Sequence, residues 1–201
     1  MGATLEELER SPLYSEELGI SLKTAAEEEL FKWFLASVLF GARISEAIAR
    51  RTYRAFEKRS LAAPGAILQA GWDFLVNPIM REGGYVRYDE KTSREILRNC
   101  ESLFSDYGGS LARLHDESEN ERDLEKRLLR FYGVGPVTVN IFLRELRPYW
   151  KKSDPEPLPA VLKLAEKYGI DLESFPRKSL AFARVEAGLV RLRRELREKA
   201  A

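Results

Sequence analysis

Apolar residues recur at three- and four-residue intervals along almost the whole chain, and that spacing predicts helices. Over 24–39 the stripe is Leu30, Phe31, Phe34, Leu35, Val38 and Leu39, closed by Gly41. Ser45 stands at an N-cap position, and the helix after it turns Ile48, Tyr53 and Phe56 inward. Pro64-Gly65 breaks the chain before a shorter helix over 66–76, which Asn77-Pro78 stops. Gly83-Gly84 turns the chain ahead of YVRY. A long helix then runs from Asp89 or Thr92 to Tyr107, ended by Gly108-Gly109. Residues 115–120, HDESEN, predict an acidic polar loop. Asn120 or Glu121 opens a helix to Tyr132 with Leu124, Leu128 and Leu129 on one face. Its partner runs from Pro136 to Leu146, apolar at Val139, Ile141, Phe142, Leu143 and Leu146. Past the proline-rich SDPEPLP, two further helices are expected over 158–168 and 179–200.

No strand-like alternation of useful length interrupts this pattern, and no repeat is present. The expected fold is therefore all-α, a helical array in two lobes with a cleft between them. Residues 40–130 form the central lobe, and 1–39 with 131–201 form the lobe that holds both termini.

Composition narrows the class. Hydrophobic residues make up 44% of the 201, enough for a sizeable core. One cysteine, Cys100, excludes an internal disulfide and a multi-cysteine zinc or iron–sulfur site. The opening MGATLEELERS is acidic and lacks an apolar core, so no secretory signal is expected, and the longest apolar run is too short for a membrane span. A cytoplasmic monomer is the expectation. The net charge of +1 exerts no global pull on nucleic acid. Its distribution is uneven. The first thirty residues are acidic, whereas Lys126, Arg127, Arg130, Arg144, Arg147, Lys151 and Lys152 gather around one segment, and five more basic residues lie in 191–199.

That segment, FYGVGPVTVNIFLRELRPYWKKSD over 131–154, carries the candidate chemistry. Gly133 and Gly135 permit a tight turn between two helices. Pro136 suits the first helical position, where its missing N–H costs nothing. The free amides of the next turn, with the positive end of the helix dipole behind them, form an anion site suited to phosphate. Asp154 follows the second helix. On its own it reads as the N-cap of a Ser-Asp-Pro-Glu helix start.

This arrangement resembles the helix–hairpin–helix DNA glycosylase superfamily, the endonuclease III relatives, in which the turn reads Leu-Pro-Gly-Val-Gly and a catalytic Asp follows. Asp154 lies seventeen positions after Val137, one fewer than in the family. Upstream, VLFGARISEAIARRT over 38–52 is similar to the family's V-L-L-S-A-Q-A-T-D segment, with Arg43 in place of the Gln that probes the base stack. GGYVRYDEKTSREI and DYGG are similar to the glycine-aromatic segments around its long helix. The resemblance covers roughly residues 28–168.

The resemblance implies a single helix–hairpin–helix glycosylase-like domain over 1–201, acting on duplex DNA that holds a damaged or mismatched base. It implies a flipped base, a backbone grip by Gly133, Val134, Gly135, Val137 and Thr138, and Arg43 in the vacated stack. Trp33, Tyr149 and Trp150 are candidates to line the base pocket. Asp154 would stabilise the oxocarbenium-like sugar or activate water. Val137 stands where bifunctional members carry a nucleophilic Lys, so the implied enzyme is monofunctional. No cofactor is required, a monovalent cation at the hairpin carbonyls is possible, and the four-cysteine iron–sulfur loop is absent. Two other readings stand beside it: a catalytically inactive helix–hairpin–helix protein that binds damaged DNA, and a helical protein–protein module.

Overall fold

The computed structural model describes residues 4–198, and among them every regular element is helical and no strand occurs. The fold is therefore all-α, as the periodicity indicates. Helix α1 spans Leu5–Glu9, α2 Tyr14–Glu17, α3 Glu27–Gly41 and α4 Glu46–Lys58. Helix α5, Pro64–Phe74, is kinked at Gly71 (φ 76°); the segment Leu75–Met80 follows, broken at extended Asn77, and leads to the short α6, Arg81–Gly83. Then follow α7 (Asp89–Tyr107), α8 (Leu111–Glu117), α9 (Glu121–Leu128), α10 (Pro136–Leu146), α11 (Pro159–Tyr168) and α12 (Leu180–Glu198).

Helices α3 and α10 form the centre. Leu30, Phe31, Trp33, Phe34, Leu35, Ala36, Val38 and Leu39 of α3 are all buried, so the helix is covered nearly all round. It crosses α10, where the Phe34 and Phe142 rings meet edge to face at 5.5 Å. The crossing is tight at Gly41, where a Cβ would fall 2.0 Å from Thr138 Oγ1. Gly41 therefore serves packing as well as ending α3. Helix α4 is capped by Ser45, which accepts the Ile48 N–H at 3.3 Å, and buries Ala49, Thr52, Tyr53 and Phe56. Helix α7 stops at left-handed Gly108, as expected. A smaller cluster of Leu8, Val161, Ala165, Val185 and Leu189 joins α1, α11 and α12.

The helix before Asn77-Pro78 ends there as expected, since Asn77 is extended at φ −141° and ψ 113°. Two expectations need correction. Residues 115–117 belong to α8, leaving only 118–120 as loop. Helix α8 forms because the Glu27 carboxylate caps its N-terminus, accepting the Ser110 hydroxyl at 2.8 Å and the amides of Leu111 and Ala112 at 2.6 and 3.1 Å. In the same way Glu145 accepts the amides of Tyr14 and Ser15, both at 2.9 Å, and starts the unexpected α2. Helix α9 stops at Leu128, short of Tyr132.

Among the described residues no helix is long and apolar enough to cross a membrane. Cys100 is buried, and burial pushes its thiol up to about 12, so it acts as a small apolar side chain.

Candidate nucleic-acid interface

Residues 129–135 connect α9 to α10, and the core grips this turn from behind. Phe131 is buried with its ring 5.2 Å from that of Phe34, and Val134 is buried beside it. Asn99, buried in α7, holds the backbone between them. Its Oδ1 accepts the Tyr132 N–H at 2.6 Å and its Nδ2 donates to the Tyr132 carbonyl at 2.9 Å. The Arg98 guanidinium, one residue earlier, lies 4.2 Å from the centre of the exposed Tyr132 ring.

The two glycines of the turn differ. Gly133 has φ +70°, which disfavours any side chain, and a Cβ there would lie 2.5 Å from Glu95 Oε2. Gly135 is extended at φ −105°, and a Cβ there would meet nothing within 4 Å. Gly135 is the N-cap of α10, with Pro136, Val137 and Thr138 following it. No side chain caps this terminus. The Val137 and Thr138 amides therefore lack intrahelical acceptors and face the open space beside Gly135. Val137 is exposed. The Thr138 side chain is buried against Gly41, so only its amide is available. An anion can approach from the Gly135 side, whereas the Glu95 carboxylate occupies the Gly133 side.

The basic residues that cluster in sequence divide in space. Arg98 and Arg130 are exposed near the turn. Arg127 is bound to Asp123 at 2.8 Å. Arg144 and Arg147 are buried and take no part in the surface.

Asp154 sits in an ion-pair knot. Arg177 Nε reaches its two oxygens at 3.1 and 3.3 Å, and Arg147 Nε lies 3.5 Å from Oδ1. Arg147 is fully buried and also meets Glu186 at 3.0 Å. Burial lowers the Arg147 pKa and raises that of Glu186, while the opposite charge of each resists the other's shift. Both arginines also donate to the Pro155 carbonyl. The neighbouring Ser153 is buried, its hydroxyl donating to the Leu143 carbonyl at 2.7 Å. This geometry ties the segment after α10 to α10 and α12. It places two cations on the carboxylate expected to face a substrate.

The remaining predicted residues are dispersed. Trp33 is fully buried and donates its indole N–H to the Phe142 carbonyl at 3.0 Å, which leaves no open face for a base. Trp150 is buried between Phe142 and His115, stacked on the latter at 4.6 Å. Tyr149 lines a separate cavity of about 250 Å³ with Leu13, Ser15 and Glu16. Arg43 is exposed in the turn between α3 and α4.

Val137 also walls a cavity of about 160 Å³, with Tyr14, Phe40, Ile141, Arg144, Leu158, Arg193 and Arg194 among its other walls. Its ionisable walls are three arginines and one tyrosine, with no carboxylate. The periodicity reading missed Asn99 and Tyr14, because a polar residue within a helix and an aromatic in a short one carry no local signal of a distant partner. No protein-family model matches the chain, and no curated protein or solved structure matches it.

Proposed function

We propose that this chain is a DNA-binding protein that uses a helix–hairpin–helix motif, α9–turn–α10, to engage the backbone of damaged duplex DNA without hydrolysis by Asp154. The observation that carries the reading is the uncapped N-terminus of α10. It is fixed from behind by Asn99, Phe131 and Val134 and open in front beside Gly135. Such a terminus suits phosphate, and backbone contacts of this kind position a duplex without reading its sequence. Exposed Arg98 and Arg130 add sequence-independent attraction. In this reading the two lobes are 40–130 and the terminal segments, the latter joined by the packing of α1 on α12.

Val137 excludes the lysine-dependent route, and the surroundings of Asp154 favour binding over hydrolytic base excision. Asp154 is neutralised by Arg147 and Arg177, so stabilising a cationic sugar would require breaking both pairs. The deciding experiment combines fluorescence anisotropy on intact and abasic duplexes over a salt series with an alkali-cleavage screen of lesion-bearing duplexes. Salt-dependent binding, stronger to the abasic duplex, with no alkali-labile product is expected. Base release that disappears in Asp154→Asn would restore the monofunctional glycosylase reading. No DNA binding at low salt would favour a protein–protein module.

A further inference from the structure

We infer that the cavity beside Val137 is a binding site for a phosphate monoester. Two of its polar walls, almost wholly buried, each carry a polar atom with no hydrogen-bond partner. Arg144 is 2% exposed with an unpartnered Nε, and Tyr14 is 3% exposed with an unpartnered hydroxyl. Buried donors without acceptors are costly and rare, and both of these line the same space.

Charge gives an independent reason. The Tyr14 ring is surrounded by the guanidiniums of Arg50, Arg144 and Arg191, at 5.4, 5.6 and 4.2 Å from its centre. Arg193 and Arg194 complete the cationic set on the cavity wall. These five arginines share three carboxylates. Glu17 takes Arg50 and Arg191, Glu46 takes Arg50 and Arg194, and Glu145 approaches Arg144 at 3.5 Å while already accepting the Tyr14 and Ser15 amides. Arg193 meets no carboxylate among the described residues. On the wall itself Arg193 is the arginine without a carboxylate, and with Arg50 and Arg191 around Tyr14 the five arginines exceed these three carboxylates by two, a cationic surround that suits the charge of a phosphate monoester, about −1.5 to −2. The other walls, Phe40, Ile141, Leu158 and Val161, are apolar and suit the carbon body that carries the phosphate. The volume equals about five liquid waters, room for the phosphate and a few attached carbons. A free nucleotide and the 5′-phosphate at a DNA strand break present the same group.

The test is isothermal titration with thymidine 5′-monophosphate, with thymidine as control, on the wild-type chain and on Tyr14→Phe and Arg193→Gln. Neither variant removes a bond that holds the fold, and unchanged thermal melts would verify this. Binding of the monophosphate but not of thymidine is expected, with each variant weakening it roughly tenfold. A second arm compares nicked duplexes bearing a 5′-phosphate or a 5′-hydroxyl at the nick. A preference for the phosphate that Tyr14→Phe removes assigns the site to a strand end, and equal binding of the two assigns it to a free nucleotide. The mononucleotide arm contains no DNA, so it stands even if duplex binding fails. Equal affinity for thymidine and its monophosphate, or no binding of either, overturns the inference.

Discussion

Asn99 bonds both backbone polar groups of Tyr132, accepting the N–H at 2.6 Å and donating to the carbonyl at 2.9 Å. One carboxamide from α7 thus replaces the partner strand or helix that the turn lacks. Asn99→Ala leaves both groups without their partner and opens a small void. A loss of about 2 kcal/mol in urea unfolding is expected, together with weaker DNA binding as the turn loosens. Asn99→Asp keeps the acceptor but turns a carboxylate oxygen toward the Tyr132 carbonyl, so it should not rescue stability. A wild-type unfolding midpoint in both variants would remove Asn99 from this role.

Gly133 and Gly135 separate stability from binding. At Gly133 an alanine must adopt φ near +70° and displace the Glu95 carboxylate, so Gly133→Ala should cost about 1–2 kcal/mol. At Gly135 the backbone is ordinary and the space open, so Gly135→Ala should leave the melting temperature nearly unchanged. Its methyl group would stand where a phosphate approaches the α10 amides. A fall in duplex affinity of roughly tenfold is expected by anisotropy, the size of one lost charge-assisted hydrogen bond. Equal DNA binding by wild type and Gly135→Ala would place the contact elsewhere.

These residues mark what sequence can disclose. The apolar stripes of α3, α4, α7, α9 and α10 are properties of neighbouring positions, so they were legible, as was the glycine turn between α9 and α10. The difference between the two glycines was not, because it depends on Glu95, which lies far away in the chain. Helices α2 and α8 were hidden for the same reason. Their local caps, Glu16 and Ser110, are supplemented by Glu145 and Glu27 from other helices, which no local pattern discloses. Arg144 and Arg147 read as surface bases because they lie among lysines and arginines, yet each has a buried carboxylate nearby. Asp154 was legible as a carboxylate just after the second helix, but its partner Arg177 lies in a later segment.

The Asp154 knot predicts a stability defect. Asp154→Asn removes one of the two carboxylates that face the buried Arg147 guanidinium. Uncompensated buried charge is expensive, but Asp154 is partly exposed and Glu186 remains, so the expected cost is about 1–2 kcal/mol. Arg177→Gln removes the more exposed partner and should cost less than about 1 kcal/mol. Urea midpoints of the two variants should therefore fall in that order. A loss of base release without loss of stability in Asp154→Asn would instead indicate chemistry at this carboxylate.

His115 predicts a pH dependence. Its ring stacks on Trp150, its Nε2 accepts the Lys152 amide at 3.3 Å, and its Nδ1 lies 3.1 Å from an Asp116 carboxylate oxygen. The neutral tautomer with the proton on Nδ1 satisfies both contacts. Burial lowers its pKa from 6.5, helped by the positive charges of Lys152 and Lys178 and opposed by Asp116. The unfolded chain therefore binds a proton at higher pH than the folded one. The stability that neutral His115 contributes is fully present above pH 6.5 and is lost as the pH falls below it toward the lowered folded value. Protonation also removes the acceptor for the Lys152 amide, which loosens the segment leading to Asp154. His115→Phe keeps the stack on Trp150 and cannot titrate. The gap between wild-type and variant urea midpoints should change between pH 7.5 and pH 5.5, with the wild type losing ground at the lower pH. A gap that is the same at both would show that folded His115 titrates as it does in the unfolded chain.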